Sequence, residues 1–199
     1  MDVTILNVST IEPLALVGTV AGVSHGRADA SRRRALSCWR MGHTSVLEHV
    51  AATWHVGGIS RACSHQLVRH RLASFCQLSQ RYNRTDVSSD DWYVTPPAME
   101  GSTGYRDAMR RAGDAYAAAL ADGMRPEDAR YLLPEGTRTA VNVTMNLREF
   151  TSFYGLRADR AAQWEIRQLA AAMADALAAQ SVEWADVVEC VRAGKAGDL

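Results

Sequence analysis

The segment Arg69-His70-Arg71-Leu72-Ala73-Ser74-Phe75-Cys76-Gln77-Leu78-Ser79-Gln80-Arg81-Tyr82 decides how the 199-residue chain is read. Three basic residues open it, mixed apolar and polar residues follow, and no carboxylate occurs within it. The pattern extends outward. From His49 to Thr85 there is neither Asp nor Glu, while Arg61, Arg69, Arg71, Arg81 and Arg84 stand there with His65 and His70. The whole chain carries 22 basic and 22 acidic side chains, so the remainder is acid-rich. Guanidinium groups stay charged and present a planar fork suited to phosphate or carboxylate. Trp54, Ile59, Leu67, Val68, Leu72, Phe75 and Leu78 share the run, so part of it should be buried. Partly buried arginines need anions. A solvated basic face, or pairing with acids from elsewhere in the fold, is the bland alternative. An anionic ligand is the preferred reading.

Composition bounds the rest. A chain with 47% hydrophobic and 22% charged residues is expected to fold as one domain over residues 1–199. Zero net charge argues against a basic clamp that binds nucleic acid with its whole surface. The uncharged run from Pro13 to Ser24 falls short of the roughly 20 residues a membrane helix needs, so no membrane partner is expected. Met1-Asp2 supplies no positive leader region. Cys38, Cys63, Cys76 and Cys190 form no CxxC pair, which suits reduced thiols and a cytoplasmic location.

Periodicity outlines the elements. Val3 to Val8 reads as a first strand and Ala28 to Met41 as a helix, with Asp29 near its start and Gly42 at its stop. Ala52 to Val56 alternates like a half-buried strand, which Gly57-Gly58 should break as a strand-to-helix turn. Ile59, Cys63 and Leu67 then mark a helix ending near Arg69. Its dipole alone favours cations there, a structural alternative for part of the Arg-His-Arg cluster. Leu72 to Asp91 reads as irregular. Tyr105 to Leu120 spaces as a helix, Pro126-Glu127-Asp128 opens another, and Thr139 to Asn146 alternates as a strand. Leu147, Phe150 and Tyr154 form an apolar stripe whose next position is Arg157, an unusual place for a charge. Ile166 to Leu177 and Val182 to Val191 complete the helices.

Common site patterns are absent. His43, His49 and His55 recur every six residues, and Cys63, His65, His70 and Cys76 lie close together, but neither set has zinc-ligand spacing, so no metal is expected. There is no GxGxxG and no GxxxxGK[ST].

Arg69-His70-Arg71, seven residues, then Ser79 strongly resembles the signature of the flavin-dependent thymidylate synthases, and the match continues through Arg81-Tyr82. Gly42 to His49 resembles that family's upstream histidine segment. Ala129 to Pro134 resembles its central arginine-to-proline segment. Leu156 to Asp159, with Ala162 to Arg167, resembles its C-terminal segment. The four segments occur in the family's order and span nearly the whole chain. Cys76, Gln77 and Ser152 depart from it, standing where Asn, an acidic residue and Asn are common.

The resemblance implies an α+β fold, an antiparallel sheet packed with helices in one compact domain. It implies a homotetramer with FAD where subunits meet. The implied activity is methylation of dUMP to dTMP. In it 5,10-methylenetetrahydrofolate gives the one-carbon unit, and FAD reduced by NADPH gives the hydride. The implied FAD residues are Arg69, His70 and Arg71, with Ser45, Gln77, Asn146, Leu147, Arg148 and Ser152, and His43 as a flavin-side histidine. The implied dUMP residues are Gln66, Leu67, Val68 and Arg69, then Gln77, Leu78, Ser79, Gln80 and Arg81, with Arg130 and Arg157. Arg157 matches the arginine assigned to ionising the uracil, so it is the catalytic candidate. A fixed guanidinium can disperse negative charge on the ring without yielding its own proton. An arginine merely paired with Asp159 or Glu165 is the alternative. Cys76 and Ser79 are expected not to act as nucleophiles. Two readings compete: a nucleic-acid module using these arginines with Phe75 and Tyr82, and a relative that binds FAD or nucleotide without turnover.

Overall fold

A computed structural model of the chain describes residues 1–27 and 29–194. Ala28, where a helix was expected to begin, and the last five residues of the expected 1–199 domain lie outside the described residues. Strand β1 (Asp2–Val8) is followed by helices α1 (Pro13–Val23) and α2 (Arg32–Arg40). Strand β2 (Ala51–Ser60), helix α3 (Arg61–Leu67) and strand β3 (Ala73–Gln77) come next. Helices α4 (Thr103–Ala121) and α5 (Pro126–Ala129) lead to strand β4 (Arg138–Asn146). Helices α6 (Leu147–Arg157), α7 (Trp164–Ala178) and α8 (Val182–Arg192) follow. The strands form one antiparallel sheet in the order β1-β2-β4-β3. The expected α+β class, an antiparallel sheet with helices against it, is the observed one.

One sheet face carries the core. Trp54 and Val56 of β2 and Val141, Val143 and Met145 of β4 are buried, as strand alternation requires. Phe150 and Phe153 of α6 and Ile166, Leu169 and Met173 of α7 close over them. Trp54 stacks on Phe150 with centroids 5.1 Å apart, and its indole N–H donates to the Met173 carbonyl at 3.1 Å. The other face is polar: Thr53 meets Thr144 at 2.9 Å and His55 meets Asn142 at 2.8 Å. A smaller cluster of Trp92, Tyr93 and Met109 forms against α4.

Three expectations need correction, and one element was not foreseen. Gly57-Gly58 does not end the strand. It forms a bulge in β2, with Gly58 at φ 71° and register resuming at Ile59 opposite Thr139. The extra residue returns Ile59 to the core face, where it is fully buried, so the strand runs on to Ser60. Second, β3 occupies part of the stretch read as irregular. It is an edge strand with alternating half-buried and exposed positions, so its polar Ser, Cys and Gln hid it. Pro13–Val23, which periodicity left unassigned, is a helix. It has no charged face to reveal a 3.6-residue period, because it is packed by α2 on one side and approached by α8 on another. A methyl group on Gly18 would lie 2.2 Å from the Ser31 carbonyl oxygen, so backbones touch there. Third among the corrections, α2 starts at Arg32, because Ser31 caps it by accepting from the Arg34 N–H; Asp29 instead pairs with the Arg34 guanidinium at 2.9 Å.

The join between β2 and α3 is tied down by a buried carboxylate. Glu165, 3% exposed, accepts from the Ser60 backbone N–H at 2.7 Å and from the Ser60 hydroxyl. The same hydroxyl oxygen accepts from the Cys63 N–H at 3.0 Å and so caps α3. Ser60→Ala removes the cap and leaves Glu165 with one partner fewer. It should lower the unfolding free energy by about 1–3 kcal/mol in urea titration; an unchanged midpoint would contradict the tie.

Candidate active site

Helix α3 is seven residues long and ends where Arg69-His70-Arg71 begins, so the cluster sits just past its C-terminus. The chain turns there through Arg69 N–H to the Gln66 carbonyl at 3.4 Å and His70 N–H to the Leu67 carbonyl at 3.2 Å. It then enters β3. Arg69 and Arg71 point outward and are exposed, whereas His70 turns in, 8% exposed, edge-on to Phe153 at 5.0 Å.

Of the five arginines in the acid-free stretch, Arg81 is bound to a carboxylate, its Nε donating to Glu127 at 2.7 Å. Among the described residues, Arg61, Arg69, Arg71 and Arg84 have no carboxylate within 4 Å. Internal ion pairing therefore accounts for one of them.

A cleft of about 330 Å³ opens beside α3, between Arg61 and His65 on one side and Arg130, Tyr131 and Glu135 on the other. Gln80 forms part of its wall. Arg61 Nη1 and Gln80 Nε2 are buried and have no hydrogen-bond partner. Leaving two such donors unsatisfied is costly unless something accepts from them. Burial, and then the charge of Arg130, hold the Arg61 guanidinium below its ordinary pKa, against the pull of Glu135. Converging cations and orphan donors fit a dianionic group. A neighbouring cavity of about 200 Å³ shares Gln80 and adds Ser79, Arg84 and Arg138. The Ser79 hydroxyl accepts from the Arg81 N–H at 3.2 Å. Arg130 donates from Nε to the Glu127 carbonyl, which links it to Arg81 through one residue.

Arg157 closes α6 and reaches back to the turn after α3. Its Nε donates to His70 Nε2 at 3.0 Å and its Nη2 to the Gln66 carbonyl at 3.1 Å. It is paired with neither alternative partner: Glu165 is occupied by Ser60, and Asp159 accepts from the Ala161 N–H. Burial, with the charge of Arg157 behind it, pushes His70 down to about 4. Neutral His70 can accept from Arg157; protonated His70 cannot.

The remaining expected residues surround the start of α6. Asn146 caps it, accepting from the Glu149 N–H at 2.8 Å. Exposed Arg148 pairs with Glu48, and the Ser152 hydroxyl donates to the Arg148 carbonyl at 3.3 Å. Ser45 and His43 are exposed at and just before the short 3₁₀ turn Thr44–His49, which packs on α6. Val68 and Leu78 are exposed.

Three assignments are limited by the packing. Leu67 and Leu147 point into the core at 0% and 2% exposure, so only their backbones can meet a ligand. Gln77 spends its amide donors on Ser64 at 2.9 Å and Thr139 at 3.2 Å, which makes it a strut between α3 and β4. Conversely, Arg61, His65 and Glu135 line the cleft although no matched segment included them, and Tyr131, inside the Ala129 to Pro134 segment, lines it without having been assigned a role. The signal for Arg61 and His65 was present: four residues apart, they share one face of a short helix inside the acid-free run.

A half-covered sheet, a donor-lined cleft beside α3 and an arginine held at the end of α6 define an α+β protein shaped to receive an anionic ligand. The sequence pattern of the family described as thymidylate synthase complementing protein matches residues 8–181. The chain belongs to that family. A flavin-dependent thymidylate synthase of Geobacter sulfurreducens is 48% identical over 138 residues, covering 67% of this chain and 59% of that protein. One from Thermococcus kodakarensis is 42% identical over 166 residues, covering 77% of this chain and 67% of that protein. The matched region thus spans about three-fifths to two-thirds of those relatives. The fold is that of the flavin dependent thymidylate synthase of Helicobacter pylori complexed with FAD and dUMP. That structure has a TM-score of 0.77 at 22% identity, covering 94% of this chain and 99% of that one.

The depressed His70 makes a signed prediction. Its folded pKa of about 4 lies below the unfolded value near 6.5, so the unfolded chain binds the extra proton first. Stability contributed by neutral His70 is complete above pH 6.5 and is lost as pH falls towards 4. Urea unfolding of the wild type should show that decline, and His70→Gln should flatten it; parallel pH curves for the two proteins would contradict the assignment.

Proposed function

We propose that this chain carries out the reductive methylation of dUMP to dTMP, acting as one functional unit. The observation that supports this most strongly is the pair of buried, unpartnered donors on Arg61 and Gln80, set beside Arg130. A nucleotide phosphate satisfies all three, with Ser79 and its neighbouring backbone N–H groups at the edge. Arg157, held by His70 through Nε and by Gln66 through Nη2, presents its Nη1 to the pyrimidine. There it stabilises negative charge spreading onto the ring, and its partial burial strengthens that effect.

The residues present also fit FAD. Arg69 and Arg71 are exposed and lack carboxylate partners among the described residues, and their turn packs through His70 onto α6. Arg148, Asn146, Ser152 and Ser45 border the opening turn of that helix. These side chains would hold the phosphates and ring edges of the cofactor. When bound and reduced by NADPH, FAD supplies the hydride, and 5,10-methylenetetrahydrofolate supplies the carbon.

The side chains of Leu72, Leu78, Tyr82 and Tyr131 are exposed; Tyr131, at 85%, lines the cleft and Leu78 the cavity beside it. Apolar groups left open beside a site mark a surface that other chains cover. They support a homotetramer in which FAD lies between subunits. Among the described residues no helix is long and apolar enough to cross a membrane. The four cysteines are unpaired, in keeping with a cytoplasmic enzyme.

The test uses purified protein. Flavin absorption bands should shift when dUMP is added, and dTMP should form with methylenetetrahydrofolate and NADPH. Oligonucleotide binding without a yellow cofactor would instead identify a nucleic-acid module. Arg157→Ala should lower kcat by about a hundredfold or more, as removal of a preorganised charge partner does. Cys76→Ser should retain most turnover, because Cys76 is an exposed side chain on the edge strand. Loss of dTMP formation in Cys76→Ser with FAD still bound would assign the thiol a chemical role.

A further inference from the structure

Glu149 is a buried carboxylate that neither the motif nor the proposed chemistry uses. It lies in the first turn of α6, its side chain 10% exposed, with its own N–H fixed by the Asn146 cap. Among the described residues no arginine lies within 4 Å of it. Two groups face its carboxylate. One is His70 Nδ1, at 3.7 Å from Oε1. The other is the backbone N–H of Leu72, which draws the carboxyl pKa down against the larger upward push of burial. Both belong to the turn that carries Arg69, His70 and Arg71.

The opposite edge of the same imidazole receives Arg157, with Nε donating to Nε2. A neutral imidazole that accepts at Nε2 carries its proton on Nδ1, the atom directed at Glu149. The three side chains therefore form a line: carboxylate, imidazole, guanidinium. The carboxylate and imidazole are largely buried, and Phe153 lies edge-on to the ring. A distance of 3.7 Å is longer than a direct hydrogen bond, so Glu149 acts on the ring as an oriented charge that a small rotation brings into contact.

We propose that Glu149 is a positioning residue: from beneath the Arg-His-Arg turn, its carboxylate orients the His70 ring so that Arg157 is held facing the pyrimidine. The inference rests on the proposed dUMP chemistry for its kinetic consequence, but not for the geometry of the ring. Glu149 touches no reacting atom. Its effect runs through His70, and a guanidinium displaced by even 1 Å from its productive place costs rate rather than nucleotide binding.

The experiment uses the FAD-loaded protein labelled with ¹⁵N-histidine. In the wild type, the His70 Nδ1–H proton should give a slowly exchanging resonance, assigned by its loss in His70→Gln. Glu149→Gln keeps an acceptor oxygen towards Nδ1–H and Leu72 N–H, so it should preserve the resonance and keep kcat within about threefold of wild type. Glu149→Ala should abolish the resonance and lower kcat by about tenfold to a hundredfold, while KM for dUMP changes by less than about threefold. Retained flavin absorbance reports that each variant folds. A resonance unchanged in Glu149→Ala, or a loss confined to KM, overturns the proposal. If the wild type forms no dTMP, the proposed activity fails, and the resonance alone then decides whether Glu149 orients the ring.

Discussion

The clasp between Glu165 and Ser60 is the contact on which the site's geometry depends. It joins α7, at the far end of the sequence, to the point where β2 stops and α3 starts. Burying a carboxylate is expensive, and here the cost is offset by a backbone N–H and a hydroxyl. The arrangement fixes where α3 begins. Because α3 has only seven residues, its start also fixes its end, and so where the Arg-His-Arg turn emerges. The bulge at Gly58 serves the same join from the other side, by keeping Ile59 in the core one residue before Ser60.

Around that join the fold separates two kinds of side chain. Large apolar groups from β2, β4, α6 and α7 fill one face of the sheet, and the Trp54–Phe150 stack lies in their midst. Cations gather beside and beyond α3, mostly without carboxylates of their own. Positive charges placed together without anions repel, as Arg61 and Arg130 do. A folded protein carries such an arrangement at some expense to its stability, and the expense is recovered when an anionic ligand binds.

Much of this was legible in the sequence, for identifiable reasons. Strands β2 and β4 show because one face is core and the other polar, so residues such as Trp54 and His55 alternate. The Arg157 anomaly shows because an arginine falls on the stripe of Phe150 and Tyr154. Other features were hidden. Helix α1 has no polar face to reveal its period. Edge strand β3 alternates only between half-buried and exposed positions. Gly57-Gly58 reads as a stop because a bulge and a turn share the same residues, and only the pairing of Ile59 with Thr139 tells them apart. Within the site, Arg61 was visible as unbalanced charge, but its orphaned Nη1 is a property of the packed cleft. The link of Glu149 to His70 spans most of the distance from α3 to α6 in sequence, and no local pattern carries it.

Helix α3 also has two duties. Its Arg61 and His65 face the cleft, while the carbonyl of Gln66 in its last turn steadies Arg157. Tilting it would alter the cleft proposed for the phosphate and the hold on Arg157 together. Redesign towards a different nucleobase at constant phosphate affinity would therefore have to leave this short segment in place and work from α6, whose final residue lines neither cavity.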